Sequence, residues 1–286
     1  MTNIKFIENR KKWYIFSAVI IIVGLISMMI QGLNYGIDFT GGNMLDLSFN
    51  ETTNVDDLRS YLDTQGFRYN IQEAGENKYI LRTEELDETA SIDLIDNLTE
   101  EFGEVTVDRN EKVSASIGEE LTRNALLALG IAAILMIIYI TIRFEFFFGI
   151  AAVLALVHDV LITVGIFSIL QIEVNSAFVA ALLTIIGYSI NDSIVIFDRI
   201  RENLNKRMKR TDEQIVDLSI NQTLFRSIST SVAVIIVLLS LFLVGGSTIH
   251  DFVLAMLIGT VFGGYSSIFI ASPLWIDMAG HKKIRK

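Results

Sequence analysis

A chain of 286 residues in which 51% of side chains are hydrophobic and only 20% are charged has too little polar surface to cover a soluble core of that apolarity. The absence of cysteine excludes disulfide scaffolds, zinc–thiolate sites and cysteine nucleophiles. With three histidines, a histidine-rich metal site and a bound cofactor are not expected. The net charge of −10 averages two populations of opposite sign that lie apart along the chain.

Residues 1–12 form a basic lead with Lys5, Arg10, Lys11 and Lys12, and an uncharged apolar run follows. About 20 apolar residues cross a bilayer core, so 13–31 is expected to be a first transmembrane helix. A cleaved signal peptide is the competing reading. The run is longer than a typical signal core, and Ser27-Met28-Met29 before Gln31-Gly32 is a poor cleavage site, which favours an uncleaved span.

Residues 32–123 carry 21 Asp and Glu against seven Lys and Arg. Within them, 43–111 read as a small α/β unit. Leu45, Leu47 and Phe49 alternate with Asp46 and Ser48 as a strand. Val55, Leu58 and Leu62 share a helical face, with Thr53 or Asn54 as N-cap. Strands at 69–73 and 78–82 flank the hairpin composition Ala74-Gly75-Glu76-Asn77. Ile92, Ile95, Leu98 and Phe102 mark a second helix, and Val105 and Val107 a last strand. The order βαββαβ is that of ferredoxin-like domains. The segment has no His, Cys or Gly-rich phosphate loop. Its carboxylates form either a solvated face or a contact for an extended cationic or unfolded polypeptide.

Five further spans are predicted at about 124–142, 146–170, 174–197, 227–246 and 251–274, within a bundle over 124–276. A loop at 198–226 joins the fourth to the fifth, and a tail at 277–286 ends the chain. Lys and Arg fix the orientation. Placing 1–12, the turn 143–145, the loop 198–226 and the tail in the cytoplasm puts 16 of the 23 basic residues there and leaves 32–123 outside. The basic stretch 199–210 reads as a topology determinant in contact with anionic lipid rather than as a nucleic-acid site. Thr211-Asp212-Glu213-Gln214 has capping-box form and is expected to start a short helix.

A charge near the centre of a span costs about 2.5–3.5 kcal/mol on insertion scales, so a retained one marks function by default. Asp192 lies roughly 10 Å inside the fourth span, with Tyr188 and Ser189 one turn away. A reversible proton carrier and a carboxylate paired to a neighbouring helix are the two readings. His158-Asp159 sits mid-way along the third span. Adjacent helical residues point about 100° apart, so the two are expected to face different helices, as relay groups or as a polar packing contact. Arg226 opens the fifth span before Ser227, Ser229, Thr230 and Ser231. It reads as an interfacial anchor or as part of a hydrated ion path. In the sixth span Ala255, Gly259, Gly263, Ser267 and Ala271 recur every fourth residue, a ridge for close packing within the chain or against a partner.

Several motifs together resemble the SecF branch of the SecD/SecF protein-export membrane family. Gly36-Ile37-Asp38-Phe39-Thr40-Gly41-Gly42 looks like its signature after the first span. Residues 187–203, including Gly187, Asn191 and Asp192, are similar to its fourth-span motif. His158-Asp159, Asn221-Gln222-Thr223 and Arg226 also match, and the likeness covers essentially the whole chain. Ser193 stands where the family often has Thr, which keeps the hydroxyl.

The resemblance implies half of an RND-type transporter: six membrane helices with a ferredoxin-like extracytoplasmic domain between the first and second. It implies pairing with SecD, association with the SecYEG channel and, indirectly, with the SecA motor. The activity implied is assistance of Sec-dependent export by the proton motive force, acting on unfolded preprotein emerging outside the cytoplasmic membrane. Asp192 would be the proton-pathway acid, Arg226 its charge partner or gate, and His158 and Asp159 supporting relay groups. Some relatives couple to sodium, and no residue decides the ion. An RND-like exporter of small hydrophobic molecules or lipids is the alternative, disfavoured by the small external domain. An intramembrane enzyme lacks its motifs.

Overall fold

In a computed structural model, residues 4–206 and 209–279 are described. They divide into two compact units. One holds the residues up to Asn34 with those from Leu127 onward, and the other is Tyr35–Leu126.

Among the described residues, six helices are long and apolar enough to cross a membrane: Arg10–Ile30, Ala115–Arg143, Phe146–Leu170, Ser176–Asn205, Asp212–Val244 and Ile249–Ala279. They are numbered first to sixth. Several outrun their apolar stretches because nothing stops them. The fifth begins at Thr211, whose hydroxyl accepts from the Gln214 backbone N–H while the Gln214 side chain accepts from that of Thr211. It then runs through 33 residues without a Gly or Pro. The short helix expected after Thr211 is therefore the start of the fifth membrane helix itself. The fourth likewise continues to Asn205, so much of the stretch expected as a loop at 198–226 is helical.

The third, fourth and sixth helices form the centre of their unit. In each, half or more of the apolar stretch is buried, against 6% in the second. Small residues set the approach distances. Gly24 of the first helix faces Gly165 of the third so closely that a Cβ on Gly24 would lie 2.8 Å from the Gly165 Cα. Nearby, Ser27 and Ser168 share a hydrogen bond of 2.8 Å. In the sixth helix, Gly259 lies against Ile185 and Gly263 against Ser189, both of the fourth helix, while Gly264 lies against Ser231 of the fifth. The small-residue ridge thus packs inside this chain.

The sixth helix changes pitch over Ser267–Ala271, a π-helical turn, before resuming as an α-helix over Ser272–Ala279. The only proline of the chain, Pro273, follows at once. Proline lacks the N–H that an α-helix needs at this point, and the wider turn accommodates the loss. Beyond it Trp275 stacks on Phe148 of the third helix, with centroids 4.3 Å apart.

The N-terminal residues are tied to the same end of the bundle. Phe6 and Ile7 are buried. The Asn221 side chain accepts from the Ile4 N–H and donates to the Ile4 carbonyl, and Asp217 accepts from the Ile7 N–H at 2.9 Å. Arg10 reaches Asp277 at 2.9 Å and Glu213 at 3.2 Å.

In the second unit the strands are β1 (Gly42–Phe49), β2 (Tyr69–Gly75), β3 (Lys78–Thr83) and β4 (Val105–Val113). Their order across the sheet is β2-β3-β1-β4, with every neighbouring pair antiparallel. With helices at Val55–Asp63 and Glu88–Phe102 this is the ferredoxin-like arrangement. Leu45, Leu47 and Phe49 enter the core together with Leu58, Leu62, Leu81, Leu94 and Leu98. Asn54 is the N-cap of the first helix, accepting from the Asp56 N–H at 3.0 Å. Asn77 takes a positive φ of 56° in the β2–β3 turn. The buried face of the second helix is Ser91, Leu94 and Leu98, so Ile92 lies outside it and is exposed.

Candidate functional site

Asp159 is the most enclosed ionisable group between the helices, 1% exposed. Its Oδ2 accepts from Ser189 of the fourth helix at 2.7 Å and from Ser266 of the sixth at 2.8 Å. Its Oδ1 lies 2.9 Å from Nδ1 of His158. The other imidazole nitrogen, Nε2, is 2.9 Å from the Ser17 hydroxyl on the first helix. Ser17 donates onward to the Tyr265 hydroxyl, and Tyr265 donates to the Trp13 carbonyl at 3.1 Å. Neighbouring residues of one helix do face different partners, as their 100° separation requires. His158 turns to the first helix and Asp159 to the fourth and sixth. Four helices converge on these two side chains.

Asp192 is 3% exposed but held quite differently. Thr230 lies 3.3 Å from Oδ1 and Ser231 3.4 Å from Oδ2, both on the fifth helix. A hydroxyl normally donates at 2.5–3.0 Å, so both contacts are long. Asp159 is held by contacts of 2.7, 2.8 and 2.9 Å, whereas Asp192 is buried with longer ones. Ser189, expected beside Asp192, gives its hydroxyl to Asp159 instead. A helical turn presents successive residues at different angles, and that of Ser189 points to the third helix.

Arg226 is exposed and makes no ion pair within 4 Å among the described residues. Its backbone carbonyl accepts from Thr230, the residue that reaches Asp192. The register of the fourth and fifth helices is fixed nearby by Gln222, whose Oε1 accepts from Arg199 at 2.6 Å and from Asn203 at 2.8 Å. Gly187 and Asn191 lie one turn apart on the exposed side of the fourth helix. On the fifth, Phe225 is 85% exposed.

The segment 36–42 belongs to the second unit. Gly36 caps a single helical turn, Ile37–Thr40, that carries Asp38 and Phe39. Gly41 and Gly42 follow with φ of 71° and 125°. A Cβ at Gly42 would strike the Thr83 carbonyl oxygen, and one at Gly41 would lie 2.8 Å from the Ala115 Cα. Each glycine is thus required both by its backbone angle and by the lack of space.

The sequence singles out the acids, and beside them Ser189, Thr230 and Ser231, but not Ser17 or Ser266. Ser17 and Ser266 carry no signal in a serine-bearing apolar helix. Pro273 was the visible mark of the irregular turn beside Ser266 and Ser267.

A multi-pass helical membrane protein with acids buried between its helices and an appended ferredoxin-like domain is the class defined by this architecture. The chain belongs to the SecD/SecF family. Residues 94–281 match the family described as Protein export membrane protein SecD/SecF, C-terminal, and residues 26–53 match the SecD/SecF GG motif. It is 41% identical to the protein translocase subunit SecF of Sebaldella termitidis, over 98% of this chain and 94% of that one. It is 39% identical to the subunit of the same name from Vibrio alginolyticus, over 98% and 91%. It superposes on the crystal structure of SecDF, a translocon-associated membrane protein from Thermus thermophilus, with a TM-score of 0.90 and 35% identity. That match covers 97% of this chain and 39% of the SecDF chain, so the chain spans less than half of that protein.

Proposed function

We propose that this chain is the SecF half of a SecD–SecF complex that uses the proton motive force to assist Sec-dependent protein export, with Asp192 as its protonation switch. The observation that carries the proposal is the contrast between the two buried acids. A carboxyl enclosed by protein with only long hydroxyl contacts has unfilled acceptor capacity in a medium that penalises its charge. Such a group takes up and releases protons with little rearrangement. Asp159, held by three short bonds from three side chains, would have to break them, and suits a supporting role with His158. Arg226 is the charge partner of Asp192 in a second arrangement of the fifth helix, because in the present one no ion pair joins them.

Partnership with SecD accounts for features that this chain leaves uncovered. Asn191 is a polar side chain exposed on an apolar helix, beside Gly187, where a second helix can approach closely. The related SecDF chain is long enough to contain a second half of similar size. In this reading the termini are cytoplasmic, residues 32–123 lie outside, and the complex acts at the SecYEG channel on preprotein delivered by SecA. A proton crossing 100 mV releases about 2.3 kcal/mol, enough to bias a rocking bundle and to move the external domain. The chain works as a transport subunit, not as an enzyme.

The test is secretion in cells whose only copy of this chain carries Asp192→Asn, with the amount of assembled complex measured in parallel. Loss of export with normal assembly supports the reading. Normal export with normal assembly removes Asp192 from the mechanism.

A further inference from the structure

Two neighbouring serines of the sixth helix, Ser266 and Ser267, are fully buried at the junction with the third and fourth helices. They face different groups. Ser266 donates to Asp159 Oδ2 at 2.8 Å, sharing that oxygen with Ser189 of the fourth helix. Ser267 Oγ lies 3.2 Å from the Ser189 carbonyl and 3.0 Å from the Ser193 hydroxyl. Ser189 and Ser193 bracket the turn of the fourth helix that carries Asp192. The opposite side of that turn meets Thr230 and Ser231 of the fifth helix. The turn is therefore held from both sides: on one by Ser267 directly and by Ser266 through the Asp159 oxygen that it shares with Ser189, and on the other by Thr230 and Ser231.

The π turn Ser267–Ala271 begins at these serines, and π turns recur at functional sites because they re-aim side chains within a helix. Ser272 donates to the Ser267 carbonyl within the same helix at 3.3 Å, a long bond that reaches no residue of the fourth helix. Gly263, one turn earlier, lets the fourth helix come close enough for these bonds, since a Cβ there would lie 3.1 Å from the Ser189 Cβ. The titratable and charged groups around this turn are His158 and Asp159 from the third helix, Tyr265 from the sixth, Tyr188 on the fourth itself and Arg226 from the fifth. The first helix offers Ser17 through His158.

We propose that Ser266 and Ser267 are positioning residues for the proton site: they clamp the 189–193 turn, and with it Asp192, to the hydrogen-bonded state of Asp159. When the Asp159 bonds change, the sixth helix transmits the change to the turn that holds Asp192. Neither serine carries the transported proton. The proposal rests on the reading of Asp192 as the protonation switch and adds the element that couples it to the second acid.

The test uses the complete complex with its six-span partner, reconstituted in proteoliposomes. Proton flux per folded complex is followed across a pH series for the unchanged protein and for Ser266→Ala, Ser267→Ala, Ser272→Ala and Asp192→Asn. Loss of the Ser266 bond to Asp159 is expected to lower flux about ten-fold in Ser266→Ala, loss of the neutral Ser267 contacts to the fourth helix to lower it less in Ser267→Ala, and both to displace the pH midpoint. Ser272→Ala, equally buried but bonded only within its own helix, is expected to leave the midpoint in place. Unmoved midpoints in Ser266→Ala and Ser267→Ala, or an equal displacement in Ser272→Ala, would overturn the proposal while leaving Asp192 its role. Undiminished flux in Asp192→Asn would instead overturn the reading of the switch.

Discussion

The Ser17 hydroxyl and the Nε2 of His158 lie 2.9 Å apart, joining the first helix to the third at the edge of the buried acid hub. Both residues are buried, so Ser17→Ala would leave an imidazole nitrogen without a partner and out of reach of water. Such an orphaned group costs about 1–3 kcal/mol. The variant is expected to lower the thermal unfolding temperature of the detergent-solubilised protein. Ser17→Thr, which keeps the hydroxyl, should lose less.

Gly42 is the second test. Its φ of 125° and the Thr83 carbonyl leave no room for a methyl group. Gly42→Ala should destabilise the ferredoxin-like unit by about 2–3 kcal/mol through combined backbone strain and overpacking. Amide exchange in β1 and β3 of the full chain should accelerate. Exchange in the third and fourth membrane helices, which belong to the other unit, should hold its rate.

Two acids in that unit respond to pH with opposite signs. Asp46 lies in β1 opposite Arg109, and burial pushes its carboxyl above the ordinary range despite attraction from Arg109 and Arg82. The folded unit therefore binds this proton more tightly than the unfolded chain does. Asp46 adds stability as pH falls through its raised value, and that addition is complete below the ordinary carboxylate value. Asp108 is held below the ordinary range by hydrogen bonds from Ser48 at 2.6 Å and Lys78 at 3.2 Å. Its contribution is present at neutral pH and is lost as pH falls below the ordinary value. Asp46→Asn should raise the unfolding temperature of this unit at neutral pH by a few degrees and cancel the gain on mild acidification. Ser48→Ala should lower stability at neutral pH and make little difference in strong acid.

The helices and the external sheet were legible because each carries a pattern that physics requires. Apolar length marks a span, alternation at Leu45, Leu47 and Phe49 marks a half-buried strand, and Asn54 opens the first domain helix with a cap. The second domain helix was legible as an element, but its face was not: Ile92 and Leu94 are equally apolar, and only the sheet beneath decides which is buried. Asp159 and Asp192 stood out because a charge in an apolar run is costly. What held them did not, since Ser189 and Ser266 meet Asp159 from positions far apart in sequence, and a hydroxyl in an apolar helix satisfies its own preceding turn equally well. Nearness along the helix points Ser189 towards Asp192, whereas packing delivers it to Asp159 for the same reason.

Gln222 offers a test of register that leaves both acids untouched. It accepts from Arg199 and Asn203, and so fixes how far along the fourth helix Thr230 and Ser231 meet Asp192. Gln222→Leu removes the acceptor at similar volume. It is expected to impair export while leaving the amount of complex near normal. Gln222→Glu, which still accepts from both donors, should retain most of the function.

In the proposed mechanism Asp192 exchanges protons while Asp159 holds the bundle together. Proton flux driven by a membrane potential, measured for the complete complex in proteoliposomes with Asp192→Asn, tests this most directly. The expected result is flux at the level of protein-free vesicles from a complex that remains assembled. Flux indistinguishable from that of the unchanged protein would contradict it.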